Sequence, residues 1–272
     1  MNHSCTQSSR LGRRTSLMQR GFTLVEMVIV LAIIGLILGA VMIGKDVQRN
    51  AEYTKIKQKF VDQWVVAYNT HYQRAGVTIN DNQTTPRLMV NGTNYVAAAG
   101  APVSGGNMTG VTAPAQVCTG AAPAGAAVQA GVTLREVMQR LGIRMPPGRA
   151  EGSEDRYVYL DTNGNPQEVQ VCFQWNPPGT ASGSGNVMVF YGLTPDLARY
   201  LDQAIDGKPD AQEGLFRQAG VAQGTANAPG VEWAANNTYN VAQSGAATAT
   251  SSGASADEDQ VVTVIAHYKM NQ

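Results

Sequence analysis

The 272-residue sequence predicts an α+β protein. A long N-terminal helix, membrane-spanning in its first half, packs through its second half on a small antiparallel β-sheet head. Three observations predict it. Residues 22–44 form an almost unbroken apolar run. Apolar and aromatic residues then recur at helical spacing as far as residue 71. After residue 132, short runs rich in β-branched and aromatic residues alternate with Gly, Asn and Pro turns.

The chain opens on a basic segment, residues 1–21, with Arg10, Arg13, Arg14 and Arg20 and no acidic residue. The run that follows, FTLVEMVIVLAIIGLILGAVMIG, is apolar except at Thr23 and Glu26. As a helix it is long enough to cross a hydrocarbon core of about 30 Å. The arginines hold its N-terminal side in the cytoplasm, so the remaining chain emerges on the far side. An ordinary secretory signal has a shorter apolar core and a small-residue cut site at its far end. A plain anchor leaves Glu26 unexplained, because a carboxylate inside an apolar span is costly and needs a partner. No cation stands one or two turns beyond it.

Residues 45–75 continue the helix as an amphipathic segment. Ile56, Phe60, Trp64, Ala67 and His71 share one face, with Lys55, Lys57, Lys59, Asp62 and Gln63 elsewhere around the turn. The stripe is read as core packing, and Gly76 as the stop. Phe22 to Ala75 would then be a rod of about 80 Å at about 1.5 Å per residue.

Residues 76–272 make the head. Residues 76–132 are loop-like, with a short strand at Tyr95-Val96. Thr133 and Glu136 form a capping box for a helix through Leu141 that stops at Gly142. Arg156–Leu160 and Val169–Trp175 read as a hairpin around the turn Asp161-Thr-Asn-Gly-Asn-Pro, and Asn186–Tyr191 as a third strand. Thr194-Pro195 opens a helix to Ile205, ended by Gly207. Residues 242–256 are a Ser/Thr/Ala/Gly tract read as mobile, and Gln260–Tyr268 is a final strand.

Arg20-Gly21-Phe22-Thr23-Leu24-Val25-Glu26 resembles the processing motif of type IV pilins and type II secretion pseudopilins. The resemblance implies that a prepilin peptidase cuts after Gly21 and methylates the new N-terminal residue, Phe22. It also implies that Glu26 meets the N-terminal amine of a neighbouring subunit, which supplies the missing partner. The partners implied are other pilin or pseudopilin subunits, the peptidase and an inner-membrane assembly platform. Before assembly the chain would cross the inner membrane once with a periplasmic head; afterwards it would sit in a periplasmic or extracellular fibre. The apolar run has Gly35, Gly39 and Gly44 but lacks the proline of many major pilins, which favours a minor pilin or a pseudopilin. A weaker similarity to prepilin-like proteins covers Leu201 to Arg217, with its Asp-Gly, Pro and downstream Gly214.

Removing the four leader arginines from 20 basic residues leaves 16 against 20 acidic, about −4. A mildly acidic body argues against general nucleic-acid binding. Cys5 leaves with the leader. Cys118 and Cys172 remain in an oxidising compartment, where a disulfide is the favoured reading and two buried free thiols the alternative. No cofactor is expected. Calcium has one candidate site, Asp202, Asp206 and Asp210, against the plainer reading of a solvated helix end. A second acidic group, Asp161, Asn163, Asn165 and Glu168, reads better as a hairpin turn, since its glycine is misplaced for an EF-hand. The histidines, His3, His71 and His267, belong to no recognisable catalytic motif, so no catalytic residue and no enzyme is expected. The leading function is a structural assembly subunit. The alternative is an adhesin or ligand-binding module, for a surface or DNA, displayed at a fibre tip through loops 76–132.

Overall fold

The computed structural model describes residues 22–96, 111–120, 122, 126–162, 164–222, 230–233 and 263–270. Gly21 and the tract 242–256 lie outside them. The chain divides into two compact units, meeting between Arg49 and Asn50. In the first, α1 (Leu24–Ile56) begins two residues after Phe22. It runs on into the second unit, where a π-helical turn (Lys57–Val61) leads into α2 (Asp62–Ala75).

The predicted stripe is buried throughout: Ile56, Phe60, Trp64, Ala67 and His71. It meets the sheet through rings. Phe60 lies 5.4 Å from Tyr157, Trp64 6.2 Å from Phe173, and Tyr68 stacks on Phe173 at 5.3 Å. Such contacts add to the burial of large apolar area. The π turn was not foreseen. Its wider coil turns both Phe60 and Val61 inward. Gly76 ends α2 in the left-handed region, φ 73°, with its N–H on the Tyr72 carbonyl at 2.8 Å.

The loop after Gly76 is organised by Asp81, whose carboxylate accepts from the backbone N–H groups of Asn82, Arg87 and Leu88. The predicted strand at Tyr95-Val96 is absent. Gly92–Asn94 forms a 3-10 turn instead, and Tyr95 is buried beneath the Arg87 guanidinium, 4.7 Å from the ring centre. The N–H groups of residues 91–95 bond to carbonyls within the loop and that of Val90 to Asn186 Oδ1, rather than to a neighbouring strand.

The capping box forms as expected: Thr133 Oγ1 accepts from Glu136 N, Glu136 accepts from Thr133 N, and α3 spans Leu134–Arg140. Five antiparallel strands follow in the order β1-β2-β3-β5-β4. They are β1 (Arg156–Leu160), β2 (Pro166–Asn176), β3 (Gly185–Leu193), β4 (Phe216–Gln218) and β5 (Val264–Lys269). Asp161 closes the β1–β2 turn by accepting from Asn165 N at 2.8 Å. β2 and β3 run further than predicted at both ends. β4 was missed, because three residues between turns carry too little alternation to register. Residues 260–262 of the predicted last strand lie outside the described residues.

α4 (Pro195–Asp206) turns Leu197, Ala198 and Leu201 into the core. The core continues through Phe190, Phe216 and Trp233. Cys118 and Cys172 are joined as a disulfide, with their Cα atoms 4.6 Å apart. The bond lies beside a two-residue bridge in which Val117 and Phe173 exchange backbone hydrogen bonds.

Candidate assembly site at the N terminus

From Phe22 to Val47 the large apolar side chains of the first unit face outward; Phe22 is 78% exposed and Leu36 75%. A surface of that size is not left facing water, so it is built for lipid or for other apolar helices. Among the described residues this helix is the one long and apolar enough to cross a membrane.

The sole acid on this surface before Asp46 is Glu26, in the first turn of α1. Its Oε2 accepts from both the backbone N–H and the hydroxyl of Thr23, each at 2.8 Å. In return Glu26 N donates to Thr23 Oγ1 at 3.3 Å. This is a capping box: the carboxylate satisfies a free donor at the helix start, where the helix dipole also favours negative charge. Sequence reasoning missed Thr23. The signal was present, since Thr23-Leu-Val-Glu26 has the spacing recognised at Thr133–Glu136. Thr23 occupies one carboxylate oxygen and leaves Oε1 for another donor.

Residues 17–42, which enclose this turn and the basic end of the leader, match the family model for the prokaryotic N-terminal methylation motif. The chain has a prepilin-type N terminus. That motif is the hallmark of type IV pilins and pseudopilins. Together with the apolar helix it fits a membrane-anchored pilin. No curated protein and no solved structure matches the chain.

In the head, the three calcium candidates are each engaged by protein donors. Asp202 is fully buried and accepts from Trp233 Nε1 at 2.8 Å. Asp206 Oδ2 accepts from the N–H groups of Leu215 and Phe216 at 2.8 and 2.9 Å. Gly214 serves this bond, since a Cβ there would stand 2.1 Å from the same oxygen. Asp210 accepts from Glu213 N and pairs with Lys208 at 3.0 Å. Among the described residues no three His, Cys, Asp or Glu side chains gather as a metal site.

Burial pushes the Asp202 carboxyl up to about 8, with the charges of Asp206 and Asp210 acting in the same direction. A carboxyl that is neutral when folded and ionised when unfolded stabilises most below its unfolded value of about 4. That stability is lost as pH rises towards 8. Asp155, raised to about 6 by burial, adds a slope of the same sign. Asp202→Asn keeps an acceptor for Trp233 without a titrating proton. Urea unfolding of this variant should therefore lose less stability between pH 5 and pH 8 than wild type. Equal slopes would show that Asp202 is ionised in the fold.

Of the remaining histidines, His267 is buried with Nδ1 2.6 Å from Ser182 Oγ and 3.1 Å from Asn176 Nδ2. It fastens the β2–β3 loop to β5. His71 lies under the loop after α2.

Proposed function

We propose that this chain is a structural subunit of a pilus-like fibre, processed after Gly21, methylated at Phe22 and assembled through α1. The observation that carries the reading is the coincidence of three features. They are the methylation motif over residues 17–42, an outward-facing apolar helix and a lone carboxylate in its first turn. Once the leader is cut, Phe22 carries a free amine, and Glu26 offers it Oε1 from the neighbouring subunit. Two charges that are costly apart in an apolar medium neutralise each other only when subunits are in register.

The head faces the periplasm before assembly. The fibre serves type II secretion or a type IV pilus, and the proline-free apolar run favours a pseudopilin or a minor pilin. The partners are other subunits, the prepilin peptidase and the inner-membrane assembly platform. Intact-mass measurement of the chain extracted from membranes tests the reading. The expected species has lost residues 1–21 and gained one methyl group on Phe22. A chain that still begins upstream of Phe22, or one released by a cut beyond Ile43, overturns it.

A further inference from the structure

The backbone groups of β1 point alternately towards β2 and away from it. Asp161 N donates to Asn165 O and Val171 N to Asp155 O, which fixes the phase of the β1–β2 ladder. Alternation then makes Tyr159 with Gln167 and Tyr157 with Val169 the hydrogen-bonded pairs. Arg156, Val158 and Leu160 turn their N–H and C=O to the other side. Pro166, opposite Leu160, fits this phase, because its missing N–H costs the β1–β2 ladder nothing.

That other side carries no strand, since β1 is the edge of the sheet. The Arg156 groups are taken within the chain: its N–H donates to Ser153 O at 3.2 Å, and its carbonyl accepts from Arg149 N at 2.7 Å. The outward N–H and C=O of Val158 and Leu160 have no partner among the described residues. Both side chains are also open, 43% and 49% exposed. Two donors and two acceptors along an extended backbone, flanked by exposed apolar side chains, are the features that an added strand recognises.

Sheet edges are usually guarded by shortness, lysine, proline or a bulge. β4, at the opposite edge, is three residues long. β1 has five residues with no lysine or proline, and its register with β2 is unbroken. Its one charged side chain, Arg156, is held on Glu168 of β2 at 3.0 Å.

Geometry selects the occupant. A symmetric pair of β1 edges from two copies is antiparallel, with a two-fold axis perpendicular to the sheet. α2 lies along one face of that sheet, with Trp64 and Tyr68 on Phe173. The axis would point the two α2 helices in opposite directions, which does not suit two subunits anchored in one membrane. We infer that the free edge of β1 takes an extended segment of another protein, a strand with β-branched residues at alternate positions beside Val158 and Leu160. The choice of a foreign segment over a second copy rests on the membrane-anchored reading.

The test uses the full chain in detergent micelles, labelled with ¹⁵N-valine and ¹⁵N-leucine. Loss of single signals in Val158→Thr and Leu160→Thr assigns the two amides. The probe is a capped heptapeptide that alternates threonine and valine. It should shift both amide signals saturably and slow their exchange with solvent at least about tenfold. The same peptide N-methylated at all its amides keeps its side chains but cannot donate, and should shift neither. Tenfold more salt should change the affinity less than about twofold, because the pairing groups are uncharged. Val158→Pro removes an outward N–H and spares the ladder, so it should weaken the peptide at least about tenfold while urea unfolding stays cooperative. If that variant does not fold, the methylated peptide still decides. Unmoved signals, or equal shifts with the methylated peptide, overturn the proposal. So do shifts that grow with chain concentration in the absence of peptide, which would identify a second copy as the occupant. Intact mass of the same sample reads leader removal separately, so failure of this inference and failure of the fibre-subunit reading are distinguishable.

Discussion

Glu26→Ala should yield a chain that is still cut after Gly21 but does not enter fibres. Cutting is spared because Phe22, at the cut, precedes the helix, which begins at Leu24. Assembly fails because the incoming amine finds no counter-charge among apolar side chains. An unpaired ion there should lower incorporated subunit by at least about a hundredfold. The capping box refines the test. Glu26→Gln can keep the Thr23 bonds while losing the charge, so it too should fail. Thr23→Val removes the hydroxyl bonds at 2.8 and 3.3 Å but leaves the backbone N–H bond, and should only reduce incorporation. Fibre yield from sheared cells, with membrane-bound processed chain as the denominator, reads all three. Wild-type incorporation of Glu26→Gln would mean that helix capping, rather than charge, is what assembly needs.

Replacing both Cys118 and Cys172 with serine should cost about 4 kcal/mol of head stability. The bond closes a loop with a sequence separation of 54, and loops of that length lose much freedom in the unfolded chain when linked. The segment it anchors is also tied to the sheet by side chains, Gln116 donating to Gln174 and accepting from Tyr191, and Gln170 donating to the Thr119 carbonyl. Beside the disulfide, Val117 and Phe173 exchange one pair of backbone bonds, and Gln116 pairs with Val128 as an isolated bridge. This segment covers one face of β2 and β3, where Val187, Val189 and Tyr191 pack with both cysteines. Urea unfolding followed by tryptophan fluorescence should show the loss, and dithiothreitol on wild type should reproduce it. A loss below about 1 kcal/mol would mean that the unfolded chain is already confined there.

The sequence made the regular elements legible wherever local chemistry was strong. β1 was read to the residue, and α3 and α4 announced themselves through Thr133–Glu136 and Thr194-Pro195. The aromatic stripe from Ile56 to His71 is buried on the face that its spacing assigned. What stayed hidden depends on long-range partners. β4 is three residues long and exists because β5 pairs with it, Phe216 opposite Tyr268. The π turn leaves no local signature. Tyr95 has the composition of a strand, but a carboxylate fourteen residues earlier had already shaped its loop. At the candidate site, Glu26 stood out as a charge among apolar residues. Thr23 did not, because inside an apolar run it was weighed for polarity rather than for its place three residues before a glutamate.

The strand order has a consequence for how the molecule is made. β5, near the chain's C-terminal end, sits between β3 and β4, so it is interior to the sheet. Until residues 264–269 have been synthesised, β3 lacks its second neighbour and β4 has no ladder at all. The apolar helix is synthesised more than 200 residues earlier. In the membrane-anchored subunit proposed above, anchoring therefore precedes closure of the head, which spends the interval with an open edge, the state in which unpaired strands are most exposed to wrong partners.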